Sequence, residues 1–150
     1  MAKHIETEIE IDAPASTVWN ILTNFEELPQ WSSFIDNIDG DGRVGSKLVV
    51  RMSLPERKPM TFKPKVLAYD ENRELRWIGR LLLPRIADGE HSFVIEPISE
   101  NRVRFVHNET FRGILIPLIF KGMKNDVRAA FVRFNEGLKQ RAEQAAASAG

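Results

Sequence analysis

The chain opens with a strict alternation of apolar and charged side chains. In the stretch HIETEIEI, Ile5, Ile9 and Ile11 share one face and the glutamates occupy the other, which is typical of a strand with one buried face. The alternation stops at DAP, and apolar residues then recur at helical spacing in ASTVWNILTNF. This stretch predicts a helix with proline at its first position. The stretch EELPQW predicts a second, very short helix.

A period of two returns after these helices and persists over most of the chain. It is seen in the runs FIDNID, SKLVVRMSL, TFKPKVLAY, RELRWIGRLLL, EHSFVIEPI and NRVRFVHNETF. Short turn-like segments separate the runs, so consecutive strands are expected to pair antiparallel. From Ile114 the apolar period becomes helical and predicts a long amphipathic helix over about 114–143. We therefore expect an α+β helix-grip fold, with about seven strands in one curved antiparallel sheet around the C-terminal helix and two short helices after strand one.

The composition narrows the possible partners. With 150 residues, 43% hydrophobic and 28% charged, residues 1–150 are expected to form a single domain. Lys plus Arg and Asp plus Glu number 21 each, and this balance predicts no nucleic-acid or acidic-membrane partner. The absence of cysteine excludes disulfides and thiolate chemistry. No apolar run has signal-peptide or membrane-spanning length, so we expect a cytoplasmic protein without integral membrane association. The oligomeric state is left open.

The stretch VHNETFRG places ionisable groups on the face of a strand that should be buried. Successive side chains of a strand alternate faces, so His107 and Glu109 point the same way as the apolar residues around them. If the preceding turn is centred near Ser99, His91 faces His107 across the hairpin, and Glu109 lies opposite Gly89. The sequence therefore predicts two imidazoles and a carboxylate on one inward patch.

Four interpretations of this patch are open. It is a hydrogen-bonded core cluster, a cavity wall that orients a ligand, an acid–base pair made of Glu109 and His107, or a metal site with two histidines and a carboxylate. The metal interpretation depends on a register inferred from the turn alone, and we predict no metal. The sequence contains no phosphate-binding glycine loop, nucleophile elbow, nucleotide fingerprint or His-Glu-x-x-His helix, so no cofactor is predicted.

The same alternation, together with the stripe of the last helix, selects the residues that should face the interior and contact a ligand. They are Met52, Phe62, Trp77, His91, Phe93, Phe105, His107, Glu109, Phe120 and Met123. The three consecutive leucines at 81–83 break the alternation of their strand. They fall at the same end as the PERKPM turn and the RGILIP stretch before the last helix, which predicts an apolar mouth to the interior.

The beginning and the end of the chain resemble one known superfamily. The stretches that carry the resemblance are EIEIDAPASTVWNILTNFEELPQW, DGEHSFVIEPISENRVRFVHNETFRGILIPLIF and FNEGLKQRAE. They are similar to small bacterial members of the START-like superfamily, also described as polyketide cyclase/dehydrase and lipid-transport proteins. The resemblance implies a helix-grip fold that encloses an apolar ligand between a curved sheet and its last helix, with a gating loop between two strands.

The resemblance and the inward patch together lead to one main functional expectation. We expect a module that binds an apolar or amphipathic small molecule, such as a lipid, fatty acid, aromatic or polyketide-like compound. The alternative is a cyclase or dehydratase that uses Glu109 or His107 as its acid or base; otherwise no catalytic residue is predicted. A second alternative is a protein-interaction module similar to co-chaperone members of the superfamily.

Overall fold

The computed structural model describes residues 3–81 and 85–149. Their strands and helices, in chain order, are β1 (Lys3–Ile11), α1 (Ala15–Thr23), β2 (Ile35–Asp39), β3 (Val49–Met52), β4 (Met60–Phe62), β5 (Lys65–Asp70), β6 (Glu74–Leu81), β7 (Ala87–Ser99), β8 (Arg102–Arg112) and α2 (Ile116–Ala149). The architecture is α+β, with antiparallel sheets and a long C-terminal helix. Of the two predicted short helices, α1 is regular, and the second is a single 3-10 turn at Leu28–Gln30.

The strands form two sheets, so the prediction of about seven strands in one sheet is wrong. Five strands are ordered β1-β8-β7-β6-β5, and three are ordered β2-β3-β4. The run TFKPKVLAY, expected as one strand, is divided into β4 and β5 around Pro64. Proline has no backbone N–H to donate and restricts the residue before it, so a regular ladder cannot continue through it. The carbonyl of Pro64 still accepts from Leu48 N at 2.9 Å, which keeps the two sheets adjacent.

Helix α2 packs along the inner face of the five-stranded sheet. Its later turns are the most deeply buried, through Val127, Ala130, Phe131, Phe134, Leu138 and Ala142. Each buried phenylalanine of this stripe contributes about 1.5–3 kcal/mol relative to an exposed one. The stripe faces the core residues of the sheet, among them Trp77, Phe93 and Phe105, which are 0–1% exposed. None of the helices described here is long and apolar enough to cross a membrane.

Several connections meet at the end of the molecule where α2 begins. Ile114 N donates to Arg85 O at 3.1 Å, and Leu115 N donates to Ile86 O at 3.0 Å. We use the term mouth for residues 57–60, 85–86 and 113–118. Its described part exposes large apolar side chains, namely Met60 (53%), Ile114 (75%) and Leu118 (80%). The side chain of Leu81, and Leu82 and Leu83, lie outside the described residues.

Candidate ligand-binding site

The hairpin of β7 and β8 carries the predicted polar patch, but in a different register. The turn occupies Glu100 and Asn101 rather than being centred on Ser99, and moving the centre by one residue shifts every cross-strand pair by two. The observed pairs are Gly89 with Phe111, His91 with Glu109, Phe93 with His107 and Ile95 with Phe105. The predicted pairing of His91 with His107, and of Glu109 with Gly89, is therefore wrong. Because a shift of two preserves the face, all of these side chains still point inward.

The two histidines nevertheless touch, as diagonal neighbours on this face. Their Nε2 atoms are 2.6 Å apart, and the residues are 1% and 0% exposed. The ring of Phe131, from α2, stacks on His107 with centroids 4.0 Å apart and planes 10° from parallel. The ring of Phe93 lies 4.6 Å and 4.7 Å from His91 and His107. The interior at this level is thus a packed aromatic cluster around a hydrogen-bonded imidazole pair.

Asn135 of α2 fixes the position of the proton on His107. The hydroxyl of Thr7 donates to the backbone carbonyl of His107 at 3.1 Å, which uses its only hydrogen. Thr7 Oγ1 therefore accepts from the Asn135 amide group, 2.8 Å away. The amide oxygen of Asn135 then faces His107 Nδ1 at 2.9 Å, and this nitrogen must be the donor.

Burial and the neighbouring His91 hold the pKa of His107 well below its ordinary value, although the hydrogen bond to Asn135 acts in the opposite direction. His107 is therefore a neutral imidazole with its hydrogen on Nδ1 and a bare Nε2. Because this Nε2 can only accept, His91 must donate from its own Nε2. The direction of the hydrogen bonds is set from Thr7 as far as His91.

Glu109 ends the chain of polar contacts. Its Oε1 lies 3.4 Å from His91 Nδ1, and its side chain is 15% exposed. The other oxygen, Oε2, occupies the space above Gly89, where a Cβ atom would lie only 2.5 Å from it. Glycine at position 89 is what gives the carboxylate its place on the sheet.

An apolar pocket lies near the position of Glu109 in the sheet. It lies between the first turns of α2 and strands β1 and β8, and its lining includes Ile5, Phe111, Ile116, Phe120, Met123 and Val127. Ile5 pairs with Glu109 across β1 and β8, and Phe111 is two positions along the same strand. The pocket has a volume of about 30 Å³, enough for one or two water molecules.

The comparisons with known proteins are consistent with this architecture. The sequence profile of the family described as polyketide cyclase/dehydrase and lipid transport matches residues 2–143. The chain belongs to this family. Among solved structures, the Zhui aromatase/cyclase from Streptomyces sp. R1128 superimposes with a TM-score of 0.76 and 14% identity, covering 96% of this chain and 95% of that one. A comparison with curated protein sequences finds no match.

Two further solved structures extend this likeness in fold. Norcoclaurine synthase from Thalictrum flavum, in complex with dopamine and hydroxybenzaldehyde, gives a TM-score of 0.68 at 16% identity over 93% of this chain and 86% of that one. A START superfamily protein from Mycobacterium smegmatis gives 0.67 at 18% identity over 98% and 99%. At these identities the likeness shows the fold, and the helix-grip architecture expected from the sequence is confirmed.

The residues that were predicted to contact a ligand lie in three separate regions of the structure. The buried aromatic cluster contains Trp77, His91, Phe93, Phe105 and His107. The pocket is lined by Phe120 and Met123. Glu109 is a sheet neighbour of the lining residues Ile5 and Phe111 but is not part of the lining. The three-stranded sheet carries Met52 and Phe62, both partly buried, and Phe62 covers Gly79 of β6.

Sequence reasoning missed Asn135, which sets the hydrogen-bond direction. A signal was present, because Asn135 follows Phe134 directly and lies four residues after Phe131, on the buried stripe of α2. A polar residue inside an apolar stripe needs a buried partner. Among residues 3–81 and 85–149, no three histidine or carboxylate side chains converge in a way that could hold a metal ion.

Proposed function

We propose that the protein binds an apolar or amphipathic small molecule between the first turns of α2 and the inner face of the sheet. The observation that carries the proposal is the apolar pocket between β1, β8 and the first turns of α2. An apolar site with a small number of placed polar groups is the usual form of a small-molecule site. Two of its lining residues, Ile5 and Phe111, are neighbours of Glu109 in the sheet, so the pocket lies close to the polar patch of β7 and β8.

A ligand larger than a few atoms requires the pocket to widen. Helix α2 has two parts in this respect. The inner face of its later turns is buried, whereas its first turns bury Ile116 but expose Leu118 and bury Phe120 and Met123 only partly. Methionine is unbranched and adapts readily to new shapes. We expect the ligand to displace these two side chains and the turns that carry them, at the mouth, while the buried stripe keeps its place on the sheet.

The family and the structural neighbours support a ligand of this class. The family description includes lipid transport as well as polyketide cyclisation. The norcoclaurine synthase structure of similar fold holds dopamine and hydroxybenzaldehyde, and both are small aromatic compounds with hydroxyl groups. This similarity favours aromatic and amphipathic compounds as the first ligands to test.

The central experiment is a comparison of two tryptophan variants. Met123→Trp fills the pocket, whereas Val132→Trp adds the same side chain at a position of α2 that is 42% exposed. Native mass spectrometry is used to search for a co-purified apolar ligand. A panel of lipids and aromatic compounds is then screened by thermal unfolding.

The free energy of binding predicts the size of the effect. A ligand at a hundred times its Kd stabilises the folded protein by about 2.7 kcal/mol, or roughly 5–10 °C for a chain of this length. We expect this shift in the wild type and in Val132→Trp, and its loss in Met123→Trp. No co-purified ligand and no shift with any compound of the panel would refute the proposal.

A second candidate function is acid–base catalysis by Glu109, as in a cyclase or dehydratase. The observation that favours it is the approach of Glu109 Oε1 to within 3.4 Å of Nδ1 of the buried His91. The structure changes the predicted pair, however, because the imidazole at Glu109 is His91, and His107 is enclosed behind it. Turnover of a panel compound that Glu109→Gln abolishes, with binding and melting temperature unchanged, would replace the binding proposal by this one.

A further inference from the structure

The exposed apolar side chains of the protein are concentrated at the mouth. Half of the large apolar residues that are exposed in the described part of the chain belong to it, namely Met60, Ile114, Leu115 and Leu118. Ile114 and Leu118 are 75% and 80% exposed, and neither lines the apolar pocket. Single exposed apolar residues are ordinary, but a cluster of them indicates a surface that is covered by a partner or by a membrane.

Cations surround this apolar cluster. The mouth itself contains arginine and lysine but no carboxylate. The basic residues in it or directly beside it that have no salt bridge within residues 3–81 and 85–149 are Lys58, Arg85, Arg112, Lys121 and Lys124.

The carboxylates closest to these segments along the chain are fewer, and most of them are already paired. Asp126 lies 2.9 Å from Arg57. Asp88, the cross-strand neighbour of Arg112, lies 3.7 Å from Arg80. Only Glu56 then remains to offset the five cations, so the mouth has a positive charge.

Hydrogen bonds between three segments hold the apolar and basic side chains on one side of the molecule. Arg57 Nη2 donates to the Gly122 carbonyl at 3.0 Å and joins the segment 57–60 to α2. The backbone bonds from residues 114 and 115 to residues 85 and 86 join the third segment. Leu118 is three positions before Lys121, so an apolar and a basic side chain are neighbours on the exposed face of α2.

We infer that the mouth docks on the surface of an anionic lipid bilayer, with Ile114 and Leu118 inserted among the headgroups and the cations against the lipid phosphates. Basic side chains around protruding apolar ones are typical of a surface that binds at the membrane interface. A bilayer accepts protruding side chains of any shape, whereas a protein partner needs a matching surface. A second copy of this chain is a poor partner, because two positively charged mouths repel each other.

This docking goes beyond the proposed function and does not depend on it. The balance of charges over the whole chain predicts no acidic-membrane partner, but that balance is an average in which carboxylates elsewhere offset the cations of the mouth. The protein stays on the bilayer surface and needs no membrane-spanning helix. Because the apolar pocket lies against the same first turns of α2, docking brings the pocket next to the lipid.

Co-sedimentation with vesicles tests the docking. Vesicles of phosphatidylcholine are compared with vesicles of roughly three parts phosphatidylcholine to one part phosphatidylglycerol, which is anionic. The protein is expected to bind the anionic vesicles at least about tenfold more tightly. Salt at about 1 M should remove this preference, because it reduces the screening length to about 3 Å. Equal binding to both kinds of vesicle, or binding to neither, overturns the inference and leaves the proposed function standing.

A pair of double variants tests the apolar contribution. Ile114→Ser with Leu118→Ser removes two side chains of the mouth and should weaken binding to the anionic vesicles at least about tenfold. The matched control is Ile98→Ser with Val132→Ser, at positions that are 53% and 42% exposed. Ile98 lies at the end of β7 opposite the mouth, and this control should bind like the wild type. All four positions are exposed, so neither variant should lower the melting temperature. Unchanged vesicle binding by the first variant overturns the inference.

A second pair tests the charge. Lys58→Gln with Lys121→Gln removes two cations of the mouth and should weaken binding to the anionic vesicles about tenfold. Lys47→Gln with Arg133→Gln lowers the net charge of the chain by the same amount at exposed positions outside the mouth and should have little effect. Equal losses in the two variants would mean that only the total charge matters and would overturn the inference.

Two further measurements separate the bilayer from the other occupants of the mouth. Met123→Trp, which fills the pocket, should dock like the wild type. Loss of docking in this variant would show that a lipid held in the pocket, and not the surface of the mouth, retains the protein on the vesicles, and would overturn the inference. A dimer in sedimentation velocity that Leu118→Ser disrupts, without binding to vesicles, would assign the mouth to a second copy of the chain and overturn it as well.

Discussion

Replacing Asn135 by leucine removes the group that fixes the proton on His107. Asn135 is 2% exposed, accepts from His107 Nδ1 at 2.9 Å and donates to Thr7 Oγ1 at 2.8 Å. Leucine has a similar volume, so Asn135→Leu leaves no large cavity. The change therefore isolates the loss of hydrogen bonds from the loss of packing.

The expected loss of stability follows from what is left without a partner. His107 is fully buried, and an orphaned buried N–H group costs about 1–3 kcal/mol. Thr7 keeps its bond to the His107 carbonyl and adds little to this loss. Moving the hydrogen to His107 Nε2 gives no relief by itself, because it would bring two N–H groups together at the 2.6 Å contact with His91. We expect Asn135→Leu to lower the free energy of unfolding by about 2 kcal/mol.

A double-mutant cycle measured by urea unfolding tests this explanation. His107→Phe keeps a ring against Phe131 but has no N–H group. In that background Asn135→Leu should cost less than about 0.5 kcal/mol, which corresponds to a coupling of about 1.5 kcal/mol. Equal costs in the two backgrounds would show that Asn135 acts through packing and that the assigned hydrogen-bond direction has no energetic consequence.

Two further predictions concern pH and the start of α2. Because the pKa of His107 is lowered in the folded state, only the unfolded chain takes up a proton at this residue below the ordinary pKa of about 6.5. The free energy of unfolding is therefore highest above that pH and decreases as the pH falls. Between pH 6 and 5 the wild type should lose about 1 kcal/mol more stability than His107→Gln, as measured by denaturant titration. Gly113 has φ 138°, and a Cβ there would overlap the Ile86 carbonyl oxygen, whereas a Cβ at Gly122 meets nothing. Gly113→Ala should therefore lower the free energy of unfolding by about 2 kcal/mol or more, and Gly122→Ala should raise it by up to about 1 kcal/mol. Equal melting temperatures for the two variants would contradict this explanation.

The class of fold could be predicted because the chain changes its apolar period only where the structure changes. The alternation of HIETEIEI becomes β1, and the helical spacing after Ile114 becomes α2. Both patterns are long, and a long pattern specifies which face is buried. The helix was expected over about 114–143 and extends from Ile116 to Ala149; its alanine-rich end has high helix propensity but no apolar stripe to reveal it.

The division into two sheets depends on one residue inside a regular pattern. TFKPKVLAY alternates on both sides of Pro64, and the alternation alone supports one strand. The proline stops the ladder, and the backbone around it pairs with the segment near Leu48 through hydrogen bonds such as Val66 N to Ser46 O. A proline within a strand pattern is a known signal for such a break. Dividing the predicted strand at Pro64 gives the observed number of strands.

The error in the predicted register shows what the alternation of apolar and polar residues can specify about a site and what it cannot. The inward face of β7 and β8 is unchanged by a shift of two residues, so the set of inward side chains was correct while their neighbours were not. This difference decides the chemistry, because it places His91 rather than His107 against Glu109. His107 is in turn hydrogen-bonded to Asn135, a residue of α2 that is 28 positions away in sequence. No local pattern encodes that contact, and yet it is the contact that determines which nitrogen of His107 carries the hydrogen.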